Sequence, residues 1–126
     1  MQMRMKRVLG CLGLVVLASG VQMPQAHAGS GSDVFAQECA ECHSLREGKN
    51  KKGPSLFAVV GRKAGSVADF NYSDAMKTSG LTWTPSQIDA YVSHPRTVVP
   101  EGKMKYDGLA DAQARADLIA FLGTVK

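Results

Sequence analysis

Cys39, Cys42 and His43 together form a C-x-x-C-H pattern, the arrangement of reactive side chains in this chain with the clearest chemical use. In this pattern each thiol adds to a vinyl group of haem, and the histidine binds the iron from one side. The two intervening residues let both sulfurs reach vinyl groups on neighbouring edges of one porphyrin. The pattern therefore predicts one covalently attached haem c, with His43 as an axial iron ligand.

Three other uses of the same cysteines fit the sequence less well. A zinc site needs four ligands, and beyond residue 28 the chain adds only His94 to the cysteines and histidine of this pattern. A thioredoxin-like dithiol is expected after a strand, and no Val/Ile-rich run precedes Cys39. A disulfide between Cys39 and Cys42 would be strained within a helix and would leave His43 unexplained.

A haem iron held by one histidine needs either a sixth ligand or an open position, and this choice separates an electron carrier from a haem enzyme. Beyond residue 28 the candidate ligands are Met76, Met104 and His94. Met104 lies in an irregular stretch with Pro100 and Gly102, where the backbone can fold over a haem face. Met76 falls in a short predicted helix, where methionine more often fills the core. We expect His94, which precedes a helix-stopping proline, to be exposed.

The first 28 residues have the features of a secretory signal peptide. Residues 8–20 are apolar, residues 26–28 read A-x-A, and the basic start consists of Arg4, Lys6 and Arg7. We therefore expect cleavage after Ala28, export to the periplasm, and a single domain formed by residues 29–126. Retention of this segment as a membrane anchor is the main alternative. A lipoprotein site at Cys11 fits poorly, because most of the apolar run follows this cysteine.

The charge of the chain does not indicate a nucleic-acid partner. It has 15 basic and 11 acidic residues, and removal of the three basic residues before position 28 leaves 12 against 11, a net charge of +1. Nucleic-acid binding would need a concentrated basic stripe.

The low aromatic content of 6% predicts a thin hydrophobic core, and a buried macrocycle would enlarge it.

Capping residues and apolar spacing predict an all-α domain with four helices. The helices are expected to start at Ser30, Ser73, Thr84 and Asp111. We expect the first to run to about Cys42 and the second to end at Gly80. The third should end at Pro95, and residues 96–108 should form an extended loop, since they show no helical period.

The order of these features resembles the class I cytochromes c, in particular mitochondrial cytochrome c and related bacterial cytochromes of photosynthetic and respiratory chains. The matching residues are Gly31, Phe35, Cys39–His43, Gly53–Leu56, Gly61–Lys63, Phe70–Ala75, Gly80–Trp83, Tyr91, Pro95, Pro100, Gly102–Met104 and Asp117–Leu122. They extend over essentially all of residues 29–126. The resemblance implies the small cytochrome c fold, in which short helices and loops wrap around one covalent haem and the first and last helices cross.

The resemblance also implies roles for residues around the haem. Met104 would be the second axial ligand, and the carbonyl of Pro54 would accept a hydrogen bond from His43 and fix its ring. Tyr91 would pack beneath Met104. Three further residues would hold the haem propionates, two by hydrogen bonds and one by its charge; they are Tyr72, Trp83 and Arg62.

With both axial positions filled, the resemblance implies a soluble monohaem electron carrier and not an enzyme. We expect a monomer that docks transiently with redox proteins, such as a cytochrome bc1-type complex, an oxidase, a reaction centre or a dehydrogenase. Basic side chains around the haem edge would steer acidic partners; they are Lys51, Lys52, Lys63, Arg96, Lys103 and Lys105. The alternatives are a haem enzyme or gas sensor with an open sixth position, and an oxidase subunit held by an uncleaved leader.

Overall fold

The computed structural model describes residues 29–126, and within this range the fold is all-α, as predicted. Its five helices are α1 (Gly31–Glu38), α2 (Asp74–Lys77), α3 (Pro85–Ser93), α4 (Pro95–Val98) and α5 (Ala112–Leu122). Within the described range, β-pairing is limited to one isolated antiparallel bridge, between Lys63 and Thr82. No helix there combines the length and apolarity that crossing a bilayer requires. The predicted signal peptide and its cleavage after Ala28 lie outside the described residues.

The four predicted N-caps are confirmed by side-chain hydrogen bonds to free backbone N–H groups. Ser30 and Asp33 form a reciprocal capping box at α1, with distances of 3.3 Å and 3.2 Å. Ser73 accepts at 3.1 Å from the N–H of Met76, and Thr84 accepts at 3.2 Å from that of Gln87. Asp111 accepts from the first turn of α5 at 2.9 Å and 3.0 Å. Local sequence therefore determines where these helices begin.

The helix ends differ from the predictions in three places. α1 ends at Glu38 and not near Cys42, and α2 ends at Lys77 and not at Gly80. The segment expected to be an extended loop begins with a helix, α4. Pro95 ends α3 as predicted, but its fixed φ also suits the first position of a new helix. His94, with φ −143° and ψ 71°, forms the break between the two helices.

The first and last helices cross at a glycine, as the family resemblance implied. A Cβ atom at Gly31 would lie 2.0 Å from the carbonyl oxygen of Asp117 and 2.5 Å from Cβ of Phe121. One turn along, the rings of Phe35 and Phe121 pack with their centroids 6.0 Å apart. Leu118 beside them is 1% exposed. The crossing therefore depends on the missing side chain at position 31.

α5 is also joined to α3 through Arg115, a residue that the sequence did not single out. Its Nε donates to Asp89 on α3 at 2.7 Å. Its Nη1 donates to the carbonyl oxygens of Leu109 and Ala110 at 2.8 Å and 2.9 Å. Arg115 therefore connects two helices and the chain segment that precedes α5.

The core of the described domain is small. Ten hydrophobic side chains among residues 29–126 are buried, and Leu118 is the only one that is less than 2% exposed. Many other apolar side chains, among them Leu56, Leu81 and Met104, are only partly buried against this cluster. The helices therefore enclose little purely protein core.

Candidate haem site

Cys39, Cys42 and His43 lie on one turn of backbone directly after α1. The N–H groups of Cys42 and His43 both donate to the carbonyl oxygen of Cys39, at 3.1 Å and 2.9 Å. Both cysteines are partly exposed free thiols, not joined to each other. Burial raises the pKa of Cys39 to about 11, and the nearby charge of Glu38 acts in the same direction. Two thiols are therefore presented from one turn.

The His43 ring is fixed by the predicted hydrogen bond to Pro54. Nδ1 lies 2.7 Å from the Pro54 carbonyl oxygen. Because a carbonyl can only accept, Nδ1 carries the proton and Nε2 keeps a lone pair for a metal. Burial lowers the pKa of His43, and this effect is larger than that of the Pro54 hydrogen bond, which acts in the opposite direction. The ring is therefore neutral at ordinary pH, as a metal ligand must be.

Gly53 gives the His43 ring its space, and the sequence reasoning did not predict this role. A Cβ atom at position 53 would lie 2.4 Å from Cε1 of His43 and 2.7 Å from Nδ1. The backbone N–H of Gly53 also donates to the carbonyl oxygen of Cys42 at 2.7 Å. The sequence feature that could have indicated this role is the position of Gly53 directly before Pro54. Gly53 and Pro54 therefore position the ring together.

Met104 lies in the segment between α4 and α5, residues 99–111, which we call the Met104 loop. The hydroxyl of Tyr91 donates to the sulfur of Met104 at 3.8 Å, as the predicted packing of the two residues required. Burial raises the pKa of Tyr91 to about 12, so this hydroxyl remains a donor. Lys103 next to Met104 donates to the carbonyl of Asn71 at 3.2 Å. The thioether is thus contacted by Tyr91, and the backbone beside it is tied to the Asn71 segment through Lys103.

The two other candidate ligands are placed differently. His94 is exposed, as expected, and its Nδ1 lies 2.6 Å from the hydroxyl of Ser93. Met76 is in α2 and packs partly buried against the core cluster. Of the three candidates, Met104 is the one in a long irregular segment with its sulfur hydrogen-bonded to a buried tyrosine.

Tyr72 and Trp83, the predicted propionate donors, are both buried. The hydroxyl of Tyr72 accepts from the N–H of Val67 at 3.2 Å, which leaves its own proton to donate elsewhere. The ring of Trp83 packs against Tyr91 with 4.9 Å between centroids. Its backbone N–H donates to the carbonyl of Arg62 at 2.8 Å, so these two residues are held side by side.

Arg62 has a buried side-chain nitrogen, Nε, that lacks a hydrogen-bond partner among the described residues. Its Nη1 and Nη2 donate to the carbonyls of Phe57 and Ser55 at 2.8 Å and 2.9 Å. Its Nε is buried and makes no hydrogen bond to any described residue, and burial lowers the pKa of this guanidinium. A buried donor on a cation without an acceptor is costly. A carboxylate such as a haem propionate is the kind of group that would satisfy it.

The residues present therefore fit a covalently bound haem. The site offers two thiols on one turn, a neutral imidazole with a free nitrogen, a thioether and a buried guanidinium lacking one acceptor. Zinc would need a cluster of ligands, and over residues 29–126 no group of three or more His, Cys, Asp or Glu side chains is placed to hold a metal ion.

Comparison with known proteins also indicates a haem c protein. The family model described as Cytochrome c matches residues 28–126. The chain is similar to cytochrome c2 of Rhodopila globiformis, with 47% identity over 96 residues that cover 76% of this chain and 91% of that protein. It is also similar to cytochrome c2 of Blastochloris viridis, with 45% identity over 112 residues, or 87% of each chain.

A solved structure shares the fold. Cytochrome cH from Methylobacterium extorquens superposes with a TM-score of 0.70 at 41% sequence identity. The match covers 76% of this chain and 99% of that one. The helical architecture is thus shared with that structure, and the haem c predicted from Cys39, Cys42 and His43 is the cofactor of the Cytochrome c family.

Proposed function

Because this chain belongs to the cytochrome c family, we propose that it is a periplasmic carrier that moves single electrons between partners of a respiratory or photosynthetic chain. It is a monohaem electron-transfer protein whose cofactor is one covalently bound haem c, since the sequence holds a single C-x-x-C-H. The periplasm is supported by the signal-peptide pattern of residues 1–28 and by the bacterial cytochrome c2 relatives. No catalytic residue is assigned.

The observation on which this proposal depends is that the imidazole of His43 and the thioether of Met104 are each held by a hydrogen bond. We assign His43 and Met104 as the axial ligands, with Pro54 fixing the imidazole and Tyr91 contacting the thioether. Haem iron supplies the reversible one-electron change, and a thioether ligand favours its ferrous form. Hydrogen bonds that fix both ligands limit rearrangement between the two oxidation states. A carrier benefits because little structure must change when the electron arrives or leaves.

Five residues would serve the haem without binding iron. Cys39 and Cys42 would hold the macrocycle through thioether bonds. We assign Tyr72 as a propionate donor because its hydroxyl proton is not used by its contact with Val67. Arg62 would donate through Nε, which lacks an acceptor among the described residues. The indole of Trp83, packed between this region and Tyr91, would complete the propionate contacts.

Isosteric substitution of the two methionines tests the ligand assignment. Met104→Leu is expected to change the absorption spectrum of the ferric protein and to lower its reduction potential, because the thioether ligand is lost. Met76→Leu is the matched control, since it removes a second sulfur of similar size from the core side of α2, and both properties should be retained. An unchanged spectrum and potential in Met104→Leu would rule out Met104 as the ligand.

Redox proteins are the partners of this family, and we propose that basic side chains guide their docking. Two of the six predicted basic residues are locally neutralised: Lys52 pairs with Glu41 at 2.7 Å, and Arg96 pairs with Asp107 at 3.2 Å. With a net charge of +1 for residues 29–126, steering is expected to be weaker than for a strongly basic carrier. Docking should therefore depend on a few unpaired lysines.

Stopped-flow oxidation by an isolated oxidase or reaction centre at two ionic strengths tests this docking. Lys105→Gln should slow the reaction at low salt, whereas Lys126→Gln at the far terminus should not. The difference should vanish at high salt, where surface charges are screened. A rate independent of salt in the unmodified protein would contradict electrostatic docking.

Cell fractionation tests the proposed location. The haem protein should be released with the periplasmic fraction, and its first residue should be Gly29. A protein that stays with the membrane and retains Met1 would support the uncleaved anchor. Either result leaves the ligand assignment untouched, because that rests on residues 43 and 104.

A further inference from the structure

The middle of the Met104 loop is held by side chains and not by backbone hydrogen bonds. Within the described part of the chain, no backbone N–H from residue 103 to 108 donates to a backbone carbonyl. Glu101 before this stretch has a left-handed φ of 64°. The loop backbone therefore has no secondary structure to keep it in place, and its position depends on the contacts of individual side chains.

Three contacts other than that of Met104 itself tie this stretch to the rest of the domain. Lys103 reaches the neutral carbonyl of Asn71 at 3.2 Å. Asp107 pairs with Arg96 at 3.2 Å, but both side chains are strongly exposed, 92% and 73%. An exposed pair of this kind contributes little. The third contact is a hydrogen bond from the hydroxyl of Tyr106 to Oε2 of Glu38, at 2.5 Å.

The Glu38–Tyr106 hydrogen bond differs from the other two in strength and in what it joins. Its length is that of a charge-assisted O–H···O⁻ bond, which is about twice as strong as a neutral one. Glu38 is the last residue of α1, directly before Cys39, and Tyr106 follows Met104 by two residues. The bond thus joins the segment that carries the haem thiols to the segment that carries Met104, across 68 positions of sequence.

We propose that the Glu38–Tyr106 bond is a clasp that keeps the Met104 loop closed and so limits how often a small ligand can replace Met104 at the iron. The proposal rests on Met104 being the axial ligand, as assigned above. Breaking the clasp frees the loop from α1 while the Tyr91 and Lys103 contacts remain. Tyr106 and Glu38 are then positioning residues, which exclude outside ligands without touching the iron.

Imidazole binding to the ferric holoprotein measures this directly. At high imidazole concentration the binding rate reaches a plateau, because the loop must open before the ligand can enter. Tyr106→Phe removes only the hydroxyl and should raise the plateau rate by about tenfold, the low end of the range for loss of one hydrogen bond to a charged acceptor, because the site is partly exposed. Glu38→Gln, which keeps a weaker neutral acceptor, should raise it by less.

Two further variants separate the clasp from general effects. Glu41→Gln removes another exposed carboxylate from the same segment, one that pairs with Lys52 and not with the loop, so its plateau rate should equal that of the unmodified protein. The double variant Tyr106→Phe/Glu38→Gln should be no faster than Tyr106→Phe alone, because both changes break one bond.

The possible results are distinct. A plateau rate in Tyr106→Phe equal to that of the unmodified protein overturns the clasp while leaving Met104 as the ligand. A rate increase in Glu41→Gln as large as in Tyr106→Phe also overturns it, since lost charge would then be the cause. If the unmodified protein binds imidazole with no plateau and Met104→Leu leaves its spectrum unchanged, the ligand assignment itself fails, and the clasp with it.

Discussion

At the scale of single residues, the orientation of His43 depends on an absent side chain as much as on a present hydrogen bond. The Pro54 carbonyl fixes Nδ1, but the ring can take that position only because Gly53 has no Cβ. Because the Gly53 backbone lies directly against the His43 ring, a side-chain atom added at position 53 would displace either the ring or the backbone. The orientation in which His43 would bind the iron is thus sensitive to the residue at position 53.

Gly53→Ala is therefore expected to disturb the haem site. The added Cβ would meet Cε1 of His43 at 2.4 Å, and overpacking of this kind costs about 1–3 kcal/mol of unfolding free energy. Chemical denaturation measures the loss, and the ferric spectrum should report the displaced ring. Gly29→Ala is the control, since its Cβ would make only an ordinary contact of 3.8 Å with Asp33. Equal stability of the two variants would contradict the role of Gly53.

The sequence names candidate residues for the site but few of the contacts that support them. Cys39, Cys42 and His43 form a local pattern, so their chemistry could be inferred without a fold. The Pro54 contact came from the family resemblance and is confirmed. The crowding of His43 by Gly53 and the partnerless Nε of Arg62 could not be predicted, because both depend on how distant segments approach each other in space.

At the scale of helices, the packing of α3 against α5 depends on Arg115, which is largely buried with a side-chain exposure of 13%. Its guanidinium joins Asp89 of α3 to the carbonyls of Leu109 and Ala110 at the end of the Met104 loop. Gly108 allows the end of the loop to pack closely against α3, because a Cβ at this position would lie 2.2 Å from the carbonyl oxygen of Ser93. The far end of the loop is therefore attached to two helices at once.

Arg115→Met should destabilise the domain by about 2 kcal/mol, because it removes a largely buried cation and leaves three acceptors without their donor. Unfolding by guanidinium chloride measures the change. Lys77→Met is the matched control: it breaks an exposed pair with Asp74 at 3.7 Å, and such pairs contribute about 0–1 kcal/mol. Equal losses in the two variants would show that Arg115 acts only as a surface charge.

The crossing of α1 and α5 gives a second prediction at this scale. Gly31→Ala would place a methyl group 2.0 Å from the Asp117 carbonyl oxygen and 2.5 Å from Cβ of Phe121. Neither atom is the end of a flexible side chain, so the helices must move apart, at an expected cost of about 3 kcal/mol. The melting temperature measures this change. A melting temperature within a degree of the original would show that the crossing tolerates a wider separation.

The helices that the sequence predicted correctly are those with a strong local start. Ser30, Ser73, Thr84 and Asp111 each cap their own first turn, and this information lies within a few residues. The helix ends were less accurate, since α1 stops at Glu38 where the backbone turns to present the cysteines. α4 was missed because, unlike the equally short α2, it has no side-chain N-cap to mark its start.

At the scale of the whole molecule, the hydrophobic core formed by protein side chains is small for a domain of this length. Ten buried hydrophobic side chains among the described residues leave little area to offset the conformational entropy of nearly a hundred residues. A covalently attached macrocycle would add apolar surface and two cross-links. Folding and haem attachment are therefore expected to be coupled.

The variant Cys39→Ala/Cys42→Ala tests this coupling, because it cannot attach haem covalently. Without added haem it should show weak helical circular dichroism and no cooperative thermal transition. Free haem should restore part of the helical signal, since His43 and Met104 are still present to bind iron. A haem-free variant that unfolds cooperatively near the temperature of the unmodified protein would show that the polypeptide core is sufficient.

Glu101 makes the Met104 loop a place where heat tolerance can be engineered. A left-handed φ of 64° costs an ordinary side chain about 1–2 kcal/mol, whereas asparagine adopts this conformation more readily. Glu101→Asn is therefore expected to raise the melting temperature by about 4 °C, as calorimetry would show. An unchanged value would mean that Glu101 bears little strain. The change leaves every contact of Met104 in place, so a more durable electron carrier could be obtained without altering its redox centre.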